Sequence, residues 1–501
     1  MYALRRREPV GESVDIFVHE VRRMLAREVD GGAIDRDGEI PARVRAACAA
    51  QGLFGLTIPE AHGGAALALR DACRVVAEIA RVDRSVAIMV GLHAGLGTRG
   101  LVTLGAPQLR ARWLPRLASG DCIASFAATE AGAGSDLTAI RTTLTDDGGG
   151  STFRLDGEKS YVTNGRFAGM FTVLARSPGL GGARAHSLVC VPADTPGIEL
   201  GKEESKLGIR GSSTVTVRFD HVRLAREQIL GTLGRGMEHA HDLLTWGRTL
   251  MSAGCIGTGR AALDAAITHV TTRKQFGRAV GVLGATRAHV AWMAARLHAM
   301  EALVDRVAAL EAFGDSMDRP SAIAKVFCSE SAFTICDRSL QLHGAVGFLE
   351  PMGVARMLRD CRITRIFEGA NDVLLVRIGA ARIAQRGEVR VVCGDPRIDA
   401  LAGRIAAVVD TTRARFGIGA VRKQVVLQRI ACAEVALAAA SACAPDAAVP
   451  LANAAIDALV DDGERSLDAL SHADRDEERD LAISEALYAS GMETQPSRDP
   501  S

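Results

Sequence analysis

FAATEAGAGSDL, Phe126 to Leu137, follows the point, about Asp121, at which the pattern of the chain changes. Upstream, apolar residues recur at helical spacing; downstream, short β-type runs alternate with glycine-bearing turns. In the upstream part Val14, Phe17, Val18, Val21 and Leu25 fall on one helix face behind Ser13, a candidate cap. Helix-compatible runs continue from Leu67 to Leu117, with a break at Gly105-Ala106-Pro107. Downstream come STFRL, MFTVLA, HSLVCV and STVTVRF, with RLDG and LDGEKS where hairpin turns belong. From Gly236 the helical period returns. Leu263, Ile267 and Val270 stand four and three apart, and Val290, Met293, Leu297, Met300, Val304 and Val307 form the seam of a packed bundle. A break, GEVRVVCGDPRID, leads into a second helical region from Ala400 to about Leu487, and the tail METQPSRDPS reads as disordered. The expected architecture is multidomain, α and β: a helical domain over 1–120, a β domain over 121–232, a helix bundle over 233–388 and a helical extension over 395–490.

With 501 residues the chain exceeds one core and suggests two to four domains. Hydrophobic content of 48% with 24% charge is that of a soluble globular protein. A net charge of +1 gives no electrostatic case for nucleic acid or an anionic membrane. Eleven cysteines, none spaced C-x-x-C, read as reduced thiols. MYALRRREPV has no apolar signal core, and no uncharged apolar run reaches 18 residues, so a cytoplasmic location is expected.

Several motifs weaken on inspection. GLGTRG, Gly95 to Gly100, fits G-x-G-x-x-G, but its helix would end at Gly105 after about one turn, too short for a dinucleotide fold. In GMEHAHD, His239 and His241 stand two apart on a helix and diverge, so no metal site is expected. GSSTV lacks the closing glycine of a serine-nucleophile elbow. DRDEERD is a solvated helix face.

The opening stretch is stronger. Its small residues let backbone N–H groups approach an anion, with hydroxyls on Thr129 and Ser135 to assist. In SYVTNG, Tyr161 and Thr163 stand two apart on a strand and share a face. Together these suit a planar cofactor carrying a pyrophosphate. TTRKQFG closes a long helix with Arg273 and Lys274, read equally as partners of the helix dipole. QLHGAVGF interrupts a helix at Gly344 and Gly347. Arg356, Arg359, Arg362 and Arg365 recur every third residue as a salt-bridged face, with proximity to anionic ligand groups the alternative. Glu368 lies between Ile366-Phe367 and Gly369; by itself this reads as a helix start.

TEAGAGSD, SYVTNG, KLGIRGSST, RKQFG, QLHGAVGF, RMLRD and RIFEGAND, in this order between about Phe54 and Ala384, resemble the acyl-CoA dehydrogenase family. LGIRGSST, IFEGAND and the C-terminal VRKQVVLQRIA are most similar to its very-long-chain branch, whose members carry an extra helical domain. The resemblance implies a helical N-terminal domain, a β-barrel middle domain and a four-helix bundle, with FAD as cofactor. It makes Glu368 the catalytic base. Phe126, Ala128, Thr129, Gly134 and Ser135 would hold the flavin edge and pyrophosphate, and Tyr161, Val162 and Thr163 would lie beside the isoalloxazine, Thr163 near N5. Arg273, Gln275, Phe276, Gln341, Gly344 and Ala345 match positions that reach a neighbouring subunit's FAD, which implies a homodimer at least. Ala370, Asn371 and Asp372 match the last flavin contacts; Ser135, Thr245, Gly247, Arg248 and Gly369 match the substrate's reactive end.

Three departures stand out. Ala370 replaces the usual threonine, Ala345 replaces a glycine, and Gly247 occupies the place where some relatives put their base, leaving Glu368 as the candidate. No long basic amphipathic helix precedes VRKQVVLQRIA, which argues against the membrane attachment known in this branch. The implied reaction is α,β-dehydrogenation of an acyl-CoA to the trans-2-enoyl-CoA, as in fatty acid β-oxidation. Glu368 removes the α-proton, flavin N5 accepts the β-hydride, and an electron-transfer flavoprotein takes the electrons. Burial beside Ile366 and Phe367 would raise the pKa of Glu368. Alternatives are a flavoenzyme of the same fold acting on carrier-protein-bound acyl groups or using O2, and a non-catalytic scaffold protein. Trp246, beside Gly247, bears on acyl chain length, which the sequence leaves open.

Overall fold

The computed structural model describes residues 12–182, 184–385, 393–470 and 480–485. They form two compact units divided between Asn371 and Asp372.

The first unit opens with helices α1 (Glu12–Glu28), α2 (Gly31–Asp37), α3 (Ala42–Ala50), α4 (Leu69–Val82), α5 (Arg84–Leu92), α6 (Thr98–Leu104) and α7 (Pro107–Ser119). Val21, Leu25, Val44, Phe54, Val75, Ile79 and Val86 share one core, as the apolar spacing requires. Ser13 lies inside α1 and does not cap it. GLGTRG is helical throughout, a π-turn (His93–Gly97) running into α6. Its glycines serve packing: a Cβ on Gly97 would sit 2.8 Å from the Ala124 methyl, and one on Gly95 2.9 Å from Leu250 Cδ1.

Next comes one eight-stranded sheet: β1 (Ile123–Ala127), β2 (Thr143–Asp146), β3 (Thr152–Thr163), β4 (Ala168–Arg176), β5 (His186–Pro192), β6 (Ile198–Leu200), β7 (Thr214–Ala225) and β8 (Ile229–Leu230). The order is β6-β7-β3-β2-β4-β5-β8, with β1 parallel to β4. Phe153, Leu155, Phe171, Val173, Val189, Val217 and Phe219 form its interior. RLDG and LDGEKS, expected as hairpin turns, instead lie within β3. Asp-Gly makes a bulge there, because Gly157 at φ +140° passes where a Cβ would come within 2.6 Å of Thr142 Cα. Asp156 braces the bulge by accepting from the His221 N–H at 2.8 Å and from Arg154 Nε at 2.8 Å.

Helices α8 (Gly236–Thr272), α9 (Gly284–Ala312), α10 (Asp318–His343) and α11 (Val354–Arg362) follow, with a small hairpin of β9 (Lys274–Gln275) and β10 (Arg278–Ala279) after α8. Met293, Leu297, Met300, Val304 and Val307 are buried as the seam requires, whereas Ile267 is 41% exposed. At Gly257 the α8 backbone meets Ala77 of α4 so closely that no Cβ fits.

The second unit contains α12 (Asn371–Ala384, from its second residue), α13 (Pro396–Phe416), α14 (Gln424–Cys443) and α15 (Pro450–Asp468). By compactness α12 groups with the C-terminal helices. Gly379 abuts the Leu427 backbone, Arg382 pairs with Glu434 in the interior, and Arg413 Nε donates to Ile383 O at 2.7 Å. Arg84–Leu104 and Gln424–Asp446 are long and apolar enough to cross a membrane, but most of each is buried inside its own unit. The segment MYALRRREPV, the first six residues of GEVRVVCGDPRID, nearly all of DRDEERD and the tail METQPSRDPS lie outside the described residues.

Candidate active site

After α11 a short 3-10 turn (Ile363–Arg365) leads into the loop of Ile366 to Ala370. Three of the four arginines of the face are ion-paired: Arg356 to Asp83 at 2.6 Å, Arg359 to Glu350 at 3.0 Å and Arg365 to Glu330 at 2.8 Å. These pairs fix α11 on the helices below it and so set where the loop starts.

Glu368 has φ +55° and Gly369 φ +99°. For a glutamate this conformation costs roughly 1–3 kcal/mol and persists only when its surroundings impose it. Two cations do so. Arg248 Nε donates to the Glu368 carbonyl at 3.1 Å, and Lys325 Nζ donates to the Gly369 carbonyl at 2.7 Å. Lys325 also donates to Asn371 Oδ1 at 2.7 Å, and Asn371 Nδ2 donates to Ser329 Oγ at 2.9 Å and Glu330 Oε1 at 2.6 Å.

Glu368 is half-buried, and one oxygen of its carboxylate is dry. Oε2 of Glu368 is out of contact with solvent and makes no hydrogen bond among the described residues. Burial pushes this acid up to about 7, against the opposing pull of Arg248, Lys325 and Arg84. The source of the dryness differs from the sequence reading. Ile366 is 51% exposed, while a Cβ built on Gly247 would stand 3.1 Å from Glu368 Oε2 and 2.8 Å from Leu96 Cδ2. The acid is therefore covered by α8 and the π-turn, and the exposed Ile366 takes no part. Beside it Trp246 is buried under the Arg99 guanidinium, 3.7 Å from the ring centroid, and Thr245 spends its hydroxyl proton on Asp242 O at 2.7 Å.

A second group surrounds the opening stretch. Phe126 lies half-buried near the end of β1, Ala128 is buried, Thr129 is half-buried, and Gly134 and Ser135 are exposed. Glu130 and Ala133 exchange N–H···O bonds of 3.0 Å, which turns the chain. The Glu130 carboxylate accepts from the Arg141 N–H at 2.6 Å, the Thr142 N–H at 2.9 Å and Lys159 Nζ at 2.9 Å. Burial alone would raise this acid; the bonds bring it below the usual range. Lys159, fully buried, also donates to Ala128 O at 2.9 Å, and burial lowers it to about 8. The Ser160 N–H donates to Thr129 O at 2.9 Å, tying the turn to SYVTNG. There the strand shifts register between Lys159 and Val162, so Tyr161 stands at φ +57° and 63% exposed, Val162 is buried and Thr163 is half-buried. Lys159→Met strands Glu130 and should cost about 3–5 kcal/mol of stability, read from the urea midpoint.

The third group is elsewhere. Phe276 (φ +51°) and Gly277 (φ +73°) make the two-residue hairpin turn that presents Arg273, Gln275 and Phe276 to solvent, Phe276 86% exposed. Gln341, Gly344 and Ala345 are also exposed, at the end of α10. The rings of His269 and His343, 4.4 Å apart, bring these two segments together. They do not join Glu368: at 1.5 Å per residue Arg273 lies roughly 39 Å along α8 from Gly247. Ala370 is half-buried at the loop's end, and Asp372 is exposed at the start of the second unit.

His239 and His241 diverge as expected, the first accepting from the Thr232 N–H at 3.2 Å and the second meeting Asp318 at 2.8 Å. Asp156, Asp220 and His221 do cluster, on the outside of the sheet, where they already bond to one another. Sequence reading missed Lys325, Lys159 and Glu130. The available signal for Lys325 was a lone lysine inside the otherwise uncharged stretch SAIAKVFCS, whose residues are all buried.

Three family descriptions match in chain order: acyl-CoA dehydrogenase N-terminal domain over residues 12–121, middle domain over 125–222 and C-terminal domain over 234–383. The very long-chain specific acyl-CoA dehydrogenase of Homo sapiens is 35% identical over 343 residues, 67% of this chain and 52% of that protein. The chain thus spans about half the length of such relatives. A protein of Mycobacterium leprae named probable acyl-CoA dehydrogenase is 34% identical over 364 residues, covering 72% of this chain and 93% of its own. Butyryl-CoA dehydrogenase from Megasphaera elsdenii superposes with a TM-score of 0.72 at 27% identity, over 75% of this chain and all of that one. An acyl-CoA dehydrogenase from Bacillus anthracis, solved with FAD, shares the fold over 93% of this chain and 88% of its own, with a TM-score of 0.84 at 24% identity.

Proposed function

Because this chain belongs to the acyl-CoA dehydrogenase family, whose members are FAD enzymes, we propose that it dehydrogenates an acyl-CoA thioester to the trans-2-enoyl-CoA with Glu368 as the base. The observation that carries this reading is the Glu368 carboxylate, one oxygen of which is shut off from solvent without a hydrogen bond among the described residues, on a loop whose backbone two cations hold.

The chain's own geometry fits FAD. A Cβ on Gly132 would meet nothing, and one on Gly134 only Thr129 Cγ2 at 3.9 Å, so this turn is open to a phosphate at the backbone. Gly134, Ser135 and Thr129 would hold the pyrophosphate side, and Phe126, Tyr161 and Thr163 the ring. When bound, FAD supplies the two-electron acceptor. Glu368 takes the α-proton, and its backbone N–H is the donor the chain offers to the thioester oxygen. Arg248 and Lys325 keep that acid in place, while Leu96 and the helix face at Gly247 exclude water that would weaken it.

The electron acceptor is proposed to be an electron-transfer flavoprotein, and the active unit a homodimer. Support for the dimer comes from the hairpin and the end of α10, remote from Glu368 and exposing Phe276, Val346 and Phe348. Eleven free thiols support a cytosolic site. Purified protein should be yellow, and one acyl-CoA of a chain-length series should bleach it anaerobically; a colourless protein, or one that no acyl-CoA bleaches, defeats the reading. Rapid hydrogen peroxide release in air would replace the dehydrogenase with an oxidase.

A pH dependence follows. The base works when ionised, so kcat/KM should rise with pH through about 7, rather than near the ordinary carboxylate value. The sign for stability is opposite. The native state holds this proton longer than the unfolded chain, so the group's contribution falls as pH climbs from the ordinary glutamate range to about 7. A rate profile already flat from pH 5 would contradict the assignment.

A further inference from the structure

The Glu368 turn rests on a buried ammonium that a packed helix core has no reason to contain. Lys325 lies in the middle of α10 with no solvent exposure, among buried Ala322, Ala324, Val326 and Cys328. Its Nζ donates to Gly369 O and Asn371 Oδ1, both at 2.7 Å. Asn371 is itself held on its amide nitrogen by Ser329 and Glu330, and Glu330 by Arg365. The restraint therefore closes around the loop from both ends.

Burying an ammonium costs several kcal/mol, and replacing a buried ion by a well-packed apolar side chain of similar volume is often neutral or stabilising. A lysine kept here for stability alone would be a poor choice. We propose that Lys325 is a positioning residue for the base: bonded to the Gly369 carbonyl and the Asn371 side chain, it fixes the left-handed Glu368 turn and supplies positive charge beneath the carboxylate. This rests on the reading of Glu368 as the base.

The charged and titratable groups facing Lys325 are Glu368 on the loop, Cys255 and Arg248 on α8, and Glu330 on α10; Arg84 on α5 acts on the same acid. Burial lowers Lys325 to about 8, so it is charged at neutral pH and loses that charge just above it. The wild-type rate should then rise through about 7 and fall above about 8.

The test compares FAD-loaded wild type, Lys325→Met and Lys325→Arg. Lys325→Met should keep its FAD and a KM within about threefold of wild type, lose kcat by tenfold or more, and move the rising limb to higher pH. Lys325→Arg keeps the charge at every pH, so its falling limb should vanish even if its rate is reduced. Wild-type kcat and an unmoved rising limb in Lys325→Met, or a falling limb that persists in Lys325→Arg, overturns the proposal. If Lys325→Met does not fold, wild type against Lys325→Arg decides, and a wild-type profile without a falling limb counts against it. If wild type binds FAD but dehydrogenates no acyl-CoA, the base reading has failed. Lys325 is then judged by a crystal structure of Lys325→Met, where a relaxed 366–370 turn supports the proposal and an unmoved one refutes it.

Discussion

Glu368→Gln is expected to retain its FAD and to lose acyl-CoA dehydrogenation by about a thousandfold or more, within the range a general base contributes. The substitution is nearly isosteric, so the turn held by Arg248 and Lys325 should survive with its two positive φ residues. What goes is the proton acceptor. The dry cleft that makes the carboxylate basic also keeps water from replacing it, since Oε2 has no solvent contact and no bond to share. Glu368→Asp should retain more activity than Gln but less than wild type, because the acid remains and sits about one methylene short. Both variants should melt near the wild-type temperature at pH 5, where the native acid is protonated and Gln imitates it. A Gln variant turning over at a tenth of the wild-type rate would remove Glu368 from the mechanism.

The fold was largely legible because the hydrophobic period reports which face each residue turns to the core. The change at about Asp121 falls just before β1, and the seam from Met293 to Val307 is buried. Errors arose where one local signal serves two geometries. Asp156-Gly157 looks like a hairpin turn and makes a bulge, because Gly157 relieves a contact with Thr142, a strand away. The site was legible in its motif residues and not in its supports. Ile366 stands two residues before Glu368 yet is exposed, whereas Gly247 and Leu96, distant in sequence, cover the acid. Nothing in the run SAIAKVFCS announces that Lys325 reaches a carbonyl on another element; only packing reveals it.

Gly247→Val should lower kcat/KM about a hundredfold while leaving FAD content unchanged. The argument turns on which neighbour can give way. The new Cβ would stand 2.8 Å from Leu96 Cδ2 and 3.1 Å from Glu368 Oε2, and the branched methyls reach further. Leu96 is buried, with its Cγ only 2.9 Å from the new Cβ, so making room on that side costs roughly 1–3 kcal/mol. The Glu368 backbone cannot follow, because Arg248 and Lys325 hold the carbonyls of residues 368 and 369, so the carboxylate must swing on its own side-chain torsions. Displacing a reacting group by about 1 Å is enough for roughly a hundredfold loss in rate. Gly259→Ala, on the same helix, provides the control: its Cβ would meet Ile335 Cδ1 at 3.5 Å, an ordinary contact, and activity should be unchanged. A crystal structure of Gly247→Val should show the acid turned away from α8 with the turn intact. Full activity in that variant would mean that the working carboxylate does not occupy the place against Gly247, and the dryness described here would then belong to a resting position only.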